Sequence, residues 1–158
     1  MAENTNGGMY ANTQTWNFFK GCYFDCNYCE PTFKRQAKRQ KNNCMSCYAY
    51  KPHVHPERIP KIPNKPIIFA AGNADICFNS DDSLMFDAID AIKNHKSTME
   101  KIFYFQSRVP SYFEKFISAF PSNVILITTI ETNRDEGYQF VSKCPKPSKR
   151  YEEFRKLD

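Results

Sequence analysis

A chain of 158 residues with 41% hydrophobic content supports one domain with its own core, which excludes wholesale disorder. The net charge of +5 permits an anionic partner without requiring one, and no apolar run approaches the roughly 20 residues that cross a bilayer. The N-terminus "MAENTNGGMYANTQ" has neither the basic nor the apolar block of a signal peptide, so a cytoplasmic location is expected. Seven cysteines, an odd number in such a chain, then point to metal binding or catalysis rather than to a disulfide framework.

In chain order, residues 1–12 read as a flexible polar tail, and a single domain is expected over 13–158. "TWNFF" (15–19) predicts a first strand that runs straight into Cys22, Cys26 and Cys29. "EPTFKRQAKRQ" predicts a helix with proline near its start. Lys34, Arg35, Lys38, Arg39 and Lys41 follow with no acid between them; a solvated helix face and a phosphate-contacting patch both account for that run. Residues 42–65 break the rhythm. They are rich in proline and polar groups, hold Cys44, Cys47, His53 and His55, and are too long for an ordinary connection, so an ordered functional loop or a metal-stapled insertion is expected.

"PIIFAAG" (66–72) predicts a buried strand that stops at Gly72. Ser80 and Asp81 are candidate N-caps for a helix with Leu84, Met85, Ala88, Ile89 and Ile92 on one face. "KIFYFQS" (101–107) is a third strand. Pro110 opens a helix whose Tyr112, Phe113, Phe116, Ile117 and Phe120 form a core-packing stripe. "NVILITTIE" (123–131) has the β-branched density of a strand buried on both faces. A last helix is expected from Pro147 or Ser148, still running at Asp158.

Strand and helix alternate about four times, which predicts an α/β fold of parallel βα units. Four units are too few for a closed eight-stranded barrel. The pattern also ends inside the charged stretch "KRYEEFRKLD", so the natural protein is expected to continue beyond this chain; a small open sheet complete as it stands is the alternative.

Cys22-x3-Cys26-x2-Cys29 brings three thiols onto one compact loop. Three thiolates so close repel unless a cation or cluster neutralises them, and iron–sulfur clusters are held by short spaced cysteine runs. Three ligands for a four-iron cluster leave one iron open, the mark of a site that binds substrate. These cysteines, with aromatic Tyr28 just before the third, resemble the motif of the radical S-adenosylmethionine (SAM) superfamily. "TWN", "HPER" (55–58), "GNAD", "FQSRVP", "TIETNRD" and "KRYEEF" are similar to an uncharacterised, phage-associated branch of it, itself related to spore photoproduct lyase-like enzymes.

The resemblance implies a partial (βα)6 barrel lacking its last two units here. It also implies a [4Fe–4S] cluster on Cys22, Cys26 and Cys29, and SAM on the open iron. Reductive cleavage would need a flavodoxin- or ferredoxin-like electron donor and would yield a 5′-deoxyadenosyl radical. Tyr28 would pack near the adenine. Gly72, Asn73 and Asp75 stand where the family meets the SAM amino group, although the usual Gly-Gly-Glu is absent and an ordinary turn is the bland reading. Ser107 would bond a ribose hydroxyl, Arg108 the SAM carboxylate, and Glu131 a ribose or the substrate. A nucleic-acid substrate is compatible with the basic run.

Cys44, Cys47, His53 and His55 are enough for a tetrahedral zinc site, though free or redox-active thiols, or no role, also account for them. Cys77 and Cys144 read as incidental buried thiols. Two other classes compete with a radical SAM enzyme. One is a non-enzymatic, zinc-stapled nucleic-acid-binding module using Cys22, Cys26, Cys29 and Cys44 or Cys47. The other is a cluster-bearing electron carrier, which lacks the fourth local cysteine.

Overall fold

A computed structural model describes residues 12–96 and 100–157. All but one residue of the expected N-terminal tail, and Asp158, lie outside these residues. The fold is mixed α/β. Strands β1 (Thr13–Trp16), β4 (Ile67–Ala70), β5 (Ile102–Gln106) and β6 (Val124–Ile127) form a parallel sheet in that order, with β2 (Phe19–Lys20) and β3 (His53–Val54) as a separate antiparallel pair. No described helix is long and apolar enough to cross a membrane.

The expected strand over 15–19 is two strands. β1 pairs with β4, β2 turns away to pair with β3, and the break falls at Asn17 and Phe18. Phe18 and Phe19 are both buried, which one continuous strand with a single covered face cannot arrange. Asn17 anchors the break, since its carbonyl accepts from the Arg58 guanidinium at 3.2 Å.

The helix expected after the cysteines is a succession of short turns. It runs as 3-10 over Asn27–Cys29, π over Glu30–Lys34, α1 (Arg35–Ala37), and 3-10 again over Lys38–Gln40. Pro31 sits in the first positions of the π turn, and the Thr32 hydroxyl donates to the Tyr28 carbonyl at 2.9 Å. Helix α2 (Met45–Tyr48) opens the Cys/His segment.

Helix α3 (Asp82–Lys93) matches its sequence pattern. The Asp81 carboxylate caps it by accepting from Ser83 N at 2.9 Å, and Leu84, Met85, Ala88, Ile89 and Ile92 are all buried. Together with the 3-10 helix Pro110–Ala119 it contributes to the same core as Ile68, Ala70, Phe103 and Phe105, which alternate along β4 and β5. The opposite row, Thr15, Phe69, Tyr104 and Ile125 across the four strands, stays partly open.

β6 therefore is not buried on both faces. It is an edge strand with Ile125 43% exposed, because a β-branched run encodes strand preference but not how many layers cover the strand. Helix α4 (Pro147–Phe154) likewise stops at Phe154 instead of continuing to the end of the chain.

Candidate active site and a second metal-binding group

Leaving β2, the chain makes a tight loop at Gly21. Its φ of 89° belongs to glycine, and a Cβ there would meet the Lys51 carbonyl oxygen at 2.1 Å. Cys22 N donates to Tyr50 O at 3.3 Å, and Phe24 N donates to Cys22 Sγ at 3.4 Å. The far side of the loop is pinned by a segment more than 110 residues away in sequence. Asn27 N donates to Val141 O at 2.9 Å, Lys143 N to Phe24 O at 2.8 Å, and Cys26 Sγ lies 3.0 Å from Ser142 Oγ. Phe24, Cys26, Tyr138 and Cys144 form a small buried cluster with Cys22 and Cys29 packed against it.

The three thiols therefore share one microenvironment. Burial pushes the Cys22 thiol up to about 12. Donation from the Cys144 and Cys29 thiols favours the thiolate at Cys26, and the same bond to Cys26 raises both donors. A bound cation reverses this balance by taking thiolates outright.

The loop faces the C-terminal ends of the parallel strands, where folds of this kind place ligands. Cys22, Cys29 and Tyr28 line a cavity of about 100 Å³ with Gly72 after β4 and Gln106 and Arg108 from the end of β5. Among the described residues the non-glycine positions with positive φ are Asp25, Tyr50 and Ala71. Asp25 sits inside the cysteine loop, and Tyr50 and Ala71 line the cavity. Strained backbone gathered around one cavity is characteristic of functional sites.

Asp75 and Ser107 are turned towards each other. The buried Asp75 carboxylate accepts from Ser107 Oγ at 2.7 Å, from Arg108 N at 2.8 Å and from Cys77 N at 3.3 Å. The two residues thus tie the end of β4 to the end of β5. Burial raises the Asp75 carboxyl against the pull of those donors. Asn73 lines a different pocket, between the helical run and Tyr50. Arg108 stays at the thiol cavity, where its Nε donates to Glu131 Oε1 at 3.1 Å and its Nη2 to the Tyr28 hydroxyl. Tyr28 in turn donates to Glu131 at 2.6 Å. Glu131 also takes Arg150 Nη2 at 2.6 Å and the Tyr138 hydroxyl at 3.1 Å.

Ser142, Tyr138, Cys144 and Arg150 carry no local pattern in the sequence that marks them as site residues. Tyr50 is equally unmarked, although it lines the cavity. The structure also separates Cys44 and Cys47 from the three-cysteine loop, because both face the two histidines instead.

Burial alone would raise the Glu131 carboxyl, but Arg150, Tyr28 and Arg108 together hold it at about 2. A lowered folded-state value contributes stability that is present above about pH 4.5 and is lost as the pH falls towards 2. Acid unfolding followed by near-ultraviolet circular dichroism should therefore show a slope between those values that is shallower in Glu131→Gln, with Asp25, Glu57, Asp81 and Asp135 supplying the remainder. Equal slopes would refute the assignment.

Cys44, Cys47, His53 and His55 form a group able to hold a metal ion, with all four ligand atoms within 4.8 Å of one another. His53 Nε2 lies 3.4 Å from Cys44 Sγ, 3.2 Å from Cys47 Sγ and 2.9 Å from His55 Nε2. The ring nitrogens facing away are also engaged. His53 Nδ1 donates to Lys51 O at 2.7 Å, and His55 Nδ1 meets Glu57 at 3.2 Å. A carbonyl acceptor fixes the proton on Nδ1 and leaves Nε2 free to ligate. Cys47 N donates to Cys44 Sγ at 3.3 Å, and that bond lowers the Cys44 thiol. Burial lowers His55, which favours the neutral ring a metal needs. The β2–β3 pairing, with Lys20 opposite His53, joins this group to the strand that leads into Cys22.

No family model, curated protein or solved structure matches this chain.

Proposed function

We propose that the chain has the activity of a radical SAM enzyme, with the four parallel strands forming part of a (βα) barrel. The observation that carries this reading is the meeting of Cys22 and Cys29 with the β4 and β5 ends at a single strained cavity. The donor set fits a three-cysteine [4Fe–4S] cluster, since Cys22, Cys26 and Cys29 come from one loop, with Cys26 inside one small buried cluster and Cys22 and Cys29 packed against it. Held by these residues and reduced by an external one-electron donor, such a cluster would supply the electron that splits SAM into methionine and a 5′-deoxyadenosyl radical.

The protein's own contribution is position and charge. Arg108 beside the thiols offers a cation for the carboxylate of a bound amino acid, Gly72 lets a ligand approach the β4 end, and Tyr28 offers a ring face. Glu131 holds Arg108 and Tyr28 in place through bonds of 3.1 and 2.6 Å.

We assign the second group to structural zinc. Tetrahedral zinc with bonds of about 2.0 Å to nitrogen and about 2.3 Å to sulfur spaces its ligands about 3.3–3.8 Å apart. The observed nitrogen–sulfur separations of 3.2–3.4 Å need to open by only a few tenths of an ångström.

Anaerobic reconstitution with iron and sulfide, then dithionite and SAM, tests the enzymatic reading. Wild type should form 5′-deoxyadenosine, and Cys22→Ala, Cys26→Ala and Cys29→Ala should each lower its formation to background while leaving zinc bound. A fully reconstituted protein that makes no 5′-deoxyadenosine would defeat it. Zinc without iron or sulfide in anaerobically purified protein would instead favour a zinc-stapled binding module.

A further inference from the structure

We propose that a second pocket, between the helical run and the Cys/His hairpin, seats a backbone phosphate of a polynucleotide substrate. The pocket holds about 180 Å³, room for about six water molecules or one phosphodiester with part of its hydration. Lys20 and Arg39 line it with Gln36, Gln40, Asn73 and Tyr50, and no carboxylate does. It thus offers two cations and several amide donors to an anion.

Those cations are available. Lys34 of the basic run is neutralised by Asp25 at 2.6 Å and Glu30 at 3.1 Å. Among the described residues Lys20 and Arg39 make no ion pair with a carboxylate.

Two features favour a polymer over a small anion. Outside the pocket Arg35, Lys38 and Lys41 continue the row as exposed cations that pair with no carboxylate among the described residues, so more than one phosphate can be met. Phe33 and Tyr50 line both this pocket and the thiol cavity. A strand with one phosphate against Lys20 and Arg39 therefore has these aromatic faces beside it, where bases stack, on the wall of the cavity assigned to chemistry.

This inference rests on the reading of that cavity as the active centre, but binding is measured without cluster assembly, SAM or reductant, so the two fail separately. The probe is a fluorescein-labelled mixed-sequence single strand of about 20 nucleotides, in DNA and RNA forms, followed by anisotropy at stepped salt. Lys20→Ala/Arg39→Ala should bind at least tenfold more weakly at low salt. Two lost phosphate contacts should also flatten the slope of log K against log salt by about 1.4. Lys149→Ala/Lys156→Ala, on α4 and just beyond its end, should leave both quantities unchanged. Zinc content and far-ultraviolet circular dichroism equal to wild type confirm that the pocket variant is folded, and Lys20→Arg/Arg39→Lys should restore most of the affinity. An unchanged slope with affinity within twofold of wild type would overturn the proposal. So would displacement of the strand from wild-type protein by equimolar inorganic pyrophosphate, which would make this a small-ligand pocket.

Discussion

Stripping the zinc proposed for Cys44, Cys47, His53 and His55 should unfold the hairpin around them and loosen the cysteine loop, while the sheet core stays folded. Structural zinc in small modules contributes about 10–16 kcal/mol of apparent binding energy. That rivals the whole margin of about 5–15 kcal/mol that holds a typical domain together. Apart from Cys47, no hairpin residue from Met45 to Arg58 belongs to the buried core, so packing cannot replace the metal. The damage then spreads along specific contacts: Gly21 sits against the Lys51 carbonyl, Cys22 N bonds Tyr50 O, and Lys20 pairs with His53. Hydrogen exchange read by mass spectrometry checks this. A chelator should remove protection from residues 44–58 and reduce it at 19–24, zinc should restore both, and α3 should not change. Protection at 44–58 that survives the chelator would mean that the hairpin is held by something else.

Replacing Arg150 with methionine should be the most damaging single change away from the metal groups. Its side chain is fully buried. It donates to Glu131 at 2.6 Å, to the Tyr138 hydroxyl at 2.9 Å and to the Thr129 carbonyl. It therefore ties α4 to the end of β6 and to the segment that backs the cysteine loop. Removing one partner of a buried ion pair costs about 3–5 kcal/mol, because the other charge stays behind with fewer donors. For a domain of this size that is a melting point lower by roughly 6–20 °C. Arg150→Met/Glu131→Gln should lose less than the sum of the single changes, since the carboxylate that lost its shortest cation contact is then neutral. Thermal melts of the four proteins give the coupling directly, and an Arg150→Met melting point within 2 °C of wild type would show that the bridge is idle.

Arg150 also shows where sequence reading ends. The capped helix α3, the β-rich cores of β4, β5 and β6, the three-thiol loop and the Cys/His tetrad are all written in spacings of a few residues. Local periodicity, capping and ligand spacing are properties of neighbouring residues, so they can be read before any fold is known. Tyr28 belongs to a common site through the resemblance, and Arg108 and Glu131 through their places at strand ends, and the structure does bring the three together. Asp75 and Ser107 carried the same signal, yet they bond each other, because the ends of two adjacent strands need internal partners as much as a ligand does.

By itself, the sequence determined where α3 and the parallel strands β4, β5 and β6 lie, where the thiols and imidazoles cluster, and that one run of the chain is strongly basic. Only the tertiary structure decided that β6 is an edge, that Ser142 and Cys144 stand behind Cys26, and that Lys20 and Arg39 share a pocket. The physical reason is chain separation. Cys26 and Ser142 are 116 residues apart, and no short-range preference records which distant surface will cover a loop. That is settled when the core closes and each buried polar group must find a partner.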